Sequence, residues 1–114
     1  MLVYYLEIVT PHVDATCATY ADLHDVIFAE GDPALGNARV AKLANGGMIG
    51  VRAPMHESES PVVRPYVQVD DIDTAVATVE KTGCKIAHPP MELPGHGKFA
   101  IYEQGGIHQG LWQV

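Results

Sequence analysis

The sequence has 114 residues and a mass of 12.3 kDa, which is enough for one ordinary domain or two very small ones. Hydrophobic residues make up 47% and charged residues 18%, a composition that excludes an intrinsically disordered chain. Lysine and arginine total 7 against 14 acidic residues, so the net charge of −7 argues against electrostatic binding to nucleic acid or to an anionic membrane.

Signals for export, membrane insertion and disulfide formation are weak in this sequence. The N-terminal segment MLVYYLEIVT contains Glu7 and no basic leader, so it predicts a strand and not a signal peptide. No apolar run approaches the ~20 residues that a membrane-spanning helix needs. Cys17 and Cys84 lack CxxC spacing and are interpreted as small core residues. We therefore expect a reduced, cytoplasmic protein.

The first half of the chain predicts one helix among four strands. Residues 3–9 are rich in β-branched and aromatic side chains, which is typical of a strand. Asp14 suits the N-cap of a helix that ends at residue 24 or 25. The predicted buried stripe of this helix consists of Ala18, Ala21 and Val26. The remaining predicted elements are a short strand at 26–30 and two strands, 38–43 and 48–53, that form a hairpin across Asn45-Gly46-Gly47.

The second half predicts the same succession of elements. They are a strand at 62–69, a helix capped by Asp73 and ended by Gly83, a short strand at 85–87, and a hairpin of 99–102 with 107–112 across Gly105-Gly106. The loop at 89–98 has glycines on both sides of His96, and two interpretations stay open for it. It is either a lid over a binding site or a hairpin connector made stiff by prolines.

A common offset shows that the two halves are copies of one unit. Asp14 and Asp73 lie 59 residues apart, and so do Gly46 and Gly105. The chain therefore predicts two βαβββ modules, at 1–58 and 59–114, joined by the polar segment at 55–61. The expected fold class is α+β.

Each four-stranded sheet can bury only one face under its single helix. In the fifth strand, Val67 and Val69 point to one side, while Arg64, Tyr66 and Gln68 point to the other. We expect the two helix-free faces to curve around a shared cleft, which is the usual place for a small ligand.

The order of signals in the second half resembles the vicinal oxygen chelate superfamily. The run VDDIDTAV is followed by a helix ending near Gly83, then by PP, PGHGKFAI and GLWQ, as in the glyoxalase-related "hydroxylase-like" branch. The resemblance covers nearly the whole chain, as a single glyoxalase/bleomycin-resistance-like domain at 1–114. The superfamily includes glyoxalase I, bleomycin-resistance proteins and extradiol dioxygenases. The resemblance implies lyase, isomerase or dioxygenase chemistry on a divalent metal, and it implies homodimers.

The metal ligands that the resemblance implies are largely missing from this sequence. Glu7 fits the first position, but the others fall near Arg64, which is a cation, and on Gly110 and Val51, which have no donor atom. We therefore expect a degenerate site with no cofactor. A nonstandard divalent metal site built from Glu7, His108 and a loop histidine stays the alternative.

Alternation along the strands selects the candidate site residues. The expected ligand-binding set consists of Tyr5, Arg64, Tyr66, Gln68, Tyr102, His108 and Trp112. Glu7 is the candidate general base. Alternatively, Glu7 and Arg64 pair with each other across the modules.

The sequence leaves three function classes open. The first is a homodimeric binding protein for a small aromatic, cationic or carboxylated ligand. The second is a metal-dependent lyase, isomerase or dioxygenase with nonstandard ligands. The third is a structural or regulatory module whose cleft is incidental.

Overall fold

The computed structural model describes all 114 residues and contains the βαβββ succession twice. The first copy consists of β1 (Val3–Val9), α1 (Val13–His24), β2 (Gly31–Asp32), β3 (Ala38–Lys42) and β4 (Met48–Arg52), with one 3₁₀ turn at Pro33–Leu35. The second copy consists of β5 (Val62–Gln68), α2 (Ile72–Lys81), β6 (Lys85–Leu93), β7 (Gly97–Gln104) and β8 (Ile107–Gln113). The predicted α+β class is confirmed.

The chain divides into two compact units. The N-terminal unit is Tyr5–Val63, and the C-terminal unit combines Met1–Tyr4 with Arg64–Val114. This division differs from the predicted modules because the first four residues pack with the second half. The backbone N–H of Gln68 donates to the Leu2 carbonyl at 2.8 Å, and the Tyr4 ring lies 5.5 Å from the Trp112 ring.

The sheet of the N-terminal unit has the strand order β2-β3-β4-β1. β1 runs parallel to β4, and β3 pairs antiparallel with both β4 and β2. α1 covers one face of this sheet through a cluster of Ile8, Cys17, Ile49 and Val51. Burying this apolar cluster is the main favourable contribution to the stability of the unit.

Helix α1 differs from its prediction at the cap and at the buried stripe. It begins at Val13, one residue before the predicted cap, so Asp14 lies inside the first turn and pairs with Arg39 at 3.0 Å. The buried stripe contains Cys17, with Val13 and Tyr20 packed against the same cluster, while Ala18 is exposed. Alanine tolerates either side of a helix, so its spacing alone could not select the buried face.

The sheet of the C-terminal unit has the equivalent order β5-β8-β7-β6. Its core cluster under α2 consists of Ile72, Ala100 and Leu111. Asp71, and not the predicted Asp73, caps α2, because its carboxylate accepts from the backbone N–H groups of Asp73 and Thr74. Gly83 adopts the left-handed conformation after the helix, with φ of 88°, as predicted.

The third strand of each copy departs from its prediction. The segment 26–30 is not a strand, and β2 is confined to Gly31–Asp32. β6 instead continues through Pro89 and Pro90 and pairs with β7 up to Leu93, with register irregularities on either side of His88. Irregular register tolerates prolines, which cannot donate to a ladder. The lid interpretation of 89–98 is therefore wrong, and the turn of this hairpin is limited to residues 94–96.

Neither helix has the length and apolar character that crossing a lipid bilayer requires.

Candidate functional site

The helix-free face of the N-terminal sheet carries Tyr5 and Glu7, as alternation predicted. Leu6 and Ile8 pack on the helix side of β1, so the intervening residues point to the other side. On β4 the same alternation places Gly50 and Arg52 on the helix-free face. The Tyr5 ring lies over Gly50 so closely that a Cβ atom there would overlap the phenol.

An arginine between two glutamates dominates this face. Arg52 donates from Nε to Glu7 Oε2 at 2.9 Å, and from Nη1 and Nη2 to the two carboxylate oxygens of Glu59 at 2.9 and 2.7 Å. The side chains of Arg52 and Glu7 are only 5% and 9% exposed, so this ion pair is shielded from water. Glu59 also accepts from the backbone N–H of Met55 at 2.7 Å, which fastens the segment after β4 to the pair.

The two-pronged bond between Arg52 and Glu59 shifts the pKa of both groups. The hydrogen bonds from Arg52 lower the pKa of Glu59 from its ordinary 4.5 to about 2, although partial burial opposes the shift. The same bonds raise the pKa of Arg52 above its ordinary value. We call Glu7, Arg52 and Glu59 the charged triad. The lowered pKa of Glu59 and the raised pKa of Arg52 keep this pair ionised at neutral pH.

The residues around Glu7 do not fit the divalent metal centre that the resemblance implies. The Glu7 carboxylate is bound to the Arg52 guanidinium at 2.9 Å. The positive charge of Arg52 would repel a divalent metal ion bound to the same carboxylate. Val51 lies in the helix-side core, and Gly110 lies under the Tyr66 ring. No group of three or more histidine, cysteine, aspartate or glutamate side chains is arranged to hold a metal.

The helix-free face of the C-terminal sheet is aromatic. Its contiguous ring contacts, which we call the aromatic run, join Tyr4 to Trp112, Trp112 to Tyr66, Tyr66 to Phe99, and Phe99 to His88, with centroid separations from 4.7 to 6.2 Å. Tyr66 crosses both Trp112 and Phe99 edge-on, a favourable geometry for aromatic pairs. The Trp112 indole donates to the His96 carbonyl at 2.9 Å, which fixes its orientation.

The predicted residues of this unit divide into a buried floor and a half-buried border. Tyr66 and Trp112 are buried, whereas Arg64 and Gln68, which lie on the same face of β5 as Tyr66, are half-buried. Phe99 and His88 are also half-buried, and Phe99 was not among the predicted site residues. The alternation of Phe99 with Ala100 on β7 was the signal that could have identified Phe99.

Two predicted residues lie away from this floor. Tyr102 packs against the core cluster under α2 and donates to Gln109 at 3.3 Å, so its expected place on the helix-free face is wrong. The register of β7 places it on the same side as Ala100, which is a core residue. His108 is exposed and contacts Glu103 across the strand pair at 3.1 Å.

No protein-family model matches the sequence. A protein named "Putative glyoxylase CFP32", from Mycobacterium bovis and Mycobacterium tuberculosis, is 29% identical over 92 residues, which are 75% of this chain and 35% of the relative. The chain therefore spans about a third of the length of these curated relatives.

Solved structures match nearly the whole chain at low sequence identity. Hypothetical protein BH1468 from Bacillus halodurans superposes with a TM-score of 0.78 at 12% identity, covering 99% of this chain and 94% of that one. Methylmalonyl-CoA epimerase from Mycobacterium tuberculosis gives 0.74 at 14% identity, with 96% and 85% covered. A Streptomyces coelicolor methylmalonyl-CoA epimerase variant in complex with 2-nitronate-propionyl-CoA gives 0.70 at 15% identity, with 98% and 96% covered. The chain has the fold of the vicinal oxygen chelate superfamily, as its sequence predicts.

Proposed function

We propose that this chain is a glyoxalase-related small-molecule-binding protein that works without the divalent metal of its superfamily. The aromatic run on the helix-free face of the C-terminal unit is the observation that carries this proposal. Five aromatic rings, each in contact with the next, are bordered by a guanidinium and an amide and form a surface suited to a small planar molecule. The charged triad supports a protein that works without a metal. Glu7 is the one residue that fits a metal-ligand position of the superfamily, and Arg52 binds its carboxylate.

The border of the aromatic run indicates the chemistry of the ligand. Arg64 can bind a carboxylate through two parallel hydrogen bonds, and Gln68 can donate to or accept from a neutral group. The half-buried rings of Phe99 and His88 offer faces on which a planar or cationic group can stack. The net charge of −7 favours a ligand that carries a positive charge of its own. A small aromatic, cationic or carboxylated molecule satisfies these conditions.

Metal-dependent lyase, isomerase or dioxygenase chemistry is the second candidate. Its support is the 29% identical relative, whose printed name is that of a glyoxylase. Under this candidate, Glu7 would act at the reacting atoms as a general base, and it would first have to leave Arg52. The chemistry of the charged triad therefore favours the binding protein over the enzyme.

The proposal includes a homodimer in the cytoplasm. β2 and β6 end their sheets and leave one side of each strand without a neighbouring strand in its own unit. A second copy that covers such edges would protect them from non-specific pairing. Sedimentation of the purified chain tests this part, and a monomer at all concentrations would contradict it.

Trp112 offers a direct test of the binding proposal because it is the only tryptophan of the chain. We would screen small carboxylates and aromatic cations by tryptophan fluorescence and by thermal melting. A molecule present at 100 times its Kd stabilises the native state by about 2.7 kcal/mol, which raises the melting temperature measurably. Ligands that bind the aromatic run should both shift the emission and raise the melting temperature.

Matched variants separate specific from non-specific binding in this screen. Arg64→Gln should lower the affinity for a carboxylated ligand by about tenfold or more, because it removes a charge-assisted hydrogen bond. Lys85→Gln removes an exposed cation from the same unit and should leave the affinity unchanged. The proposal would be contradicted if no ligand shifted the emission or raised the melting temperature. It would also be contradicted if ligands bound Arg64→Gln and Lys85→Gln with equal affinity.

A further inference from the structure

A groove on the helix side of the N-terminal unit lies apart from the charged triad. It has a volume of about 340 Å³ and is open to solvent. Its walls consist of Asp14, Cys17, Ala18, Ala21, Val26, Ile27, Phe28 and Arg39. Sites for small ligands have volumes of roughly 300–1,000 Å³, so the groove has room for a small molecule.

Small side chains on one face of α1 create this groove. Asp14, Cys17, Ala18 and Ala21 follow one another at the spacing that puts helix residues on a common face. The equivalent positions on α2, 59 residues later, include Val76 and Glu80, which are larger. Burial raises the pKa of the Cys17 thiol, so this part of the wall is neutral and apolar.

The segment that follows α1 forms the opposite wall. In the C-terminal unit, the corresponding segment is the nine-residue strand β6, which pairs with β7. In the N-terminal unit, pairing with β3 begins only at Gly31, apart from one bond from the Ala29 N–H to the Val40 carbonyl. Ile27 is 89% exposed although it is apolar, so this wall presents hydrophobic surface to water.

An ion pair between Arg39 and Asp14 lies at one end of the apolar walls. Arg39 donates from Nε to the Ala29 carbonyl at 3.1 Å, which fixes the guanidinium, and from Nη1 to Asp14 Oδ1 at 3.0 Å. The Arg39 side chain is 27% exposed, whereas that of Asp14 is 91% exposed. Such an exposed pair contributes little stability and can be rearranged at little cost. The guanidinium retains further N–H donors, and Asp14 retains a carboxylate oxygen.

We infer that this groove is a second binding site, for an apolar α-amino acid or a similar small zwitterion. The ligand carboxylate binds the remaining donors of Arg39, and its ammonium group binds Asp14. The apolar side chain lies against Val26, Ile27 and Phe28. A zwitterion satisfies both ends of the ion pair and carries no net charge, so the net charge of −7 does not repel it.

L-leucine and two truncated analogues test this inference in an NMR titration of the intact chain. Leucine should produce saturable amide shifts at Ala18, Ala21 and the segment 26–28. Isocaproate lacks the ammonium group and isoamylamine lacks the carboxylate, so each should bind about tenfold more weakly or worse. No saturable shift with leucine, or equal affinity for either analogue, would overturn the inference.

Variants assign the binding to this groove. Arg39→Gln should weaken leucine binding by about tenfold or more, since it removes the charged donor. Ala18→Leu fills the groove from an exposed position and should abolish binding, and its amide spectrum shows whether the fold is kept. Ala77→Leu is the matched control, because Ala77 is the exposed equivalent on α2. Leucine binding that survives Ala18→Leu, or that is lost equally in Ala77→Leu, would overturn the assignment.

Discussion

Arg52 is the residue that most changes the interpretation of this chain. Its guanidinium binds Glu7, a carboxylate that is 45 residues away, and Glu59, which lies in the segment that the sequence presents as a polar linker. No local pattern connects these three residues, so the charged triad could not be found by reading along the chain. Glu7 was correctly placed on the helix-free face, but its surroundings are ionic and not the apolar cleft that a general base requires.

Replacing Arg52 with methionine should destabilise the protein strongly. The change removes the cation from a shielded carboxylate and from Glu59, and breaking a buried pair in this way typically costs about 3–5 kcal/mol. Urea unfolding measures the loss. Arg39→Met is the matched control, because its pair with the exposed Asp14 should contribute no more than about 1 kcal/mol. If Arg52→Met and Arg39→Met lost equal free energies of unfolding, the charged triad would not be shielded from water.

The lowered pKa of Glu59 predicts a pH dependence with a definite sign. Its pKa falls from 4.5 to about 2 on folding, so its ionised form stabilises the native state fully above pH 4.5. That contribution is lost as the pH falls from 4.5 towards 2. Glu59→Gln should therefore be less stable at pH 7, and the difference should shrink over this range in thermal melts. Glu57 is an exposed neighbour, so Glu57→Gln should have the same pH dependence of melting temperature as the wild type. A stability difference between Glu59→Gln and the wild type that stayed constant with pH would contradict this prediction.

At the scale of elements, the clearest local signals gave the most accurate predictions. The bounds of β1 were predicted to the residue, and Gly105 and Gly106 adopt the positive φ that the hairpin requires. β6 was cut short because two prolines normally end a strand, and pairing to β7 overrides that preference. Tyr102 was assigned to the wrong face because the sequence alone did not fix which side of β7 faces the core, and the structure places Tyr102 on the core side with Ala100.

The cap of α2 gives a prediction at the same scale. Asp71→Ala removes the carboxylate that accepts from the first-turn N–H groups, and it should cost about 1 kcal/mol of stability. Asp70→Ala changes an exposed neighbour of the same charge outside the helix and serves as the control. Chemical unfolding of both variants checks the result, and equal stabilities would show that the cap contributes nothing.

At the scale of the whole molecule, the internal repeat accounts for what could be predicted. The offset of 59 residues between the halves led directly to two βαβββ copies, and both sheets have the same strand order. The repeat could not predict how the two helix-free faces have diverged. One carries the charged triad and the other the aromatic run, and these differences depend on a few side chains such as Arg52 and Phe99.

Metal content distinguishes a metal-free binding protein from a metal-dependent enzyme. The purified chain, without a histidine tag, would be dialysed in turn against Ni²⁺, Zn²⁺ and Mn²⁺ and then assayed for metal per chain and for melting temperature. Because Arg52 binds the Glu7 carboxylate, we expect far less than one metal per chain and an unchanged melting temperature. One metal per chain with a raised melting temperature, lost in Glu7→Gln, would contradict it.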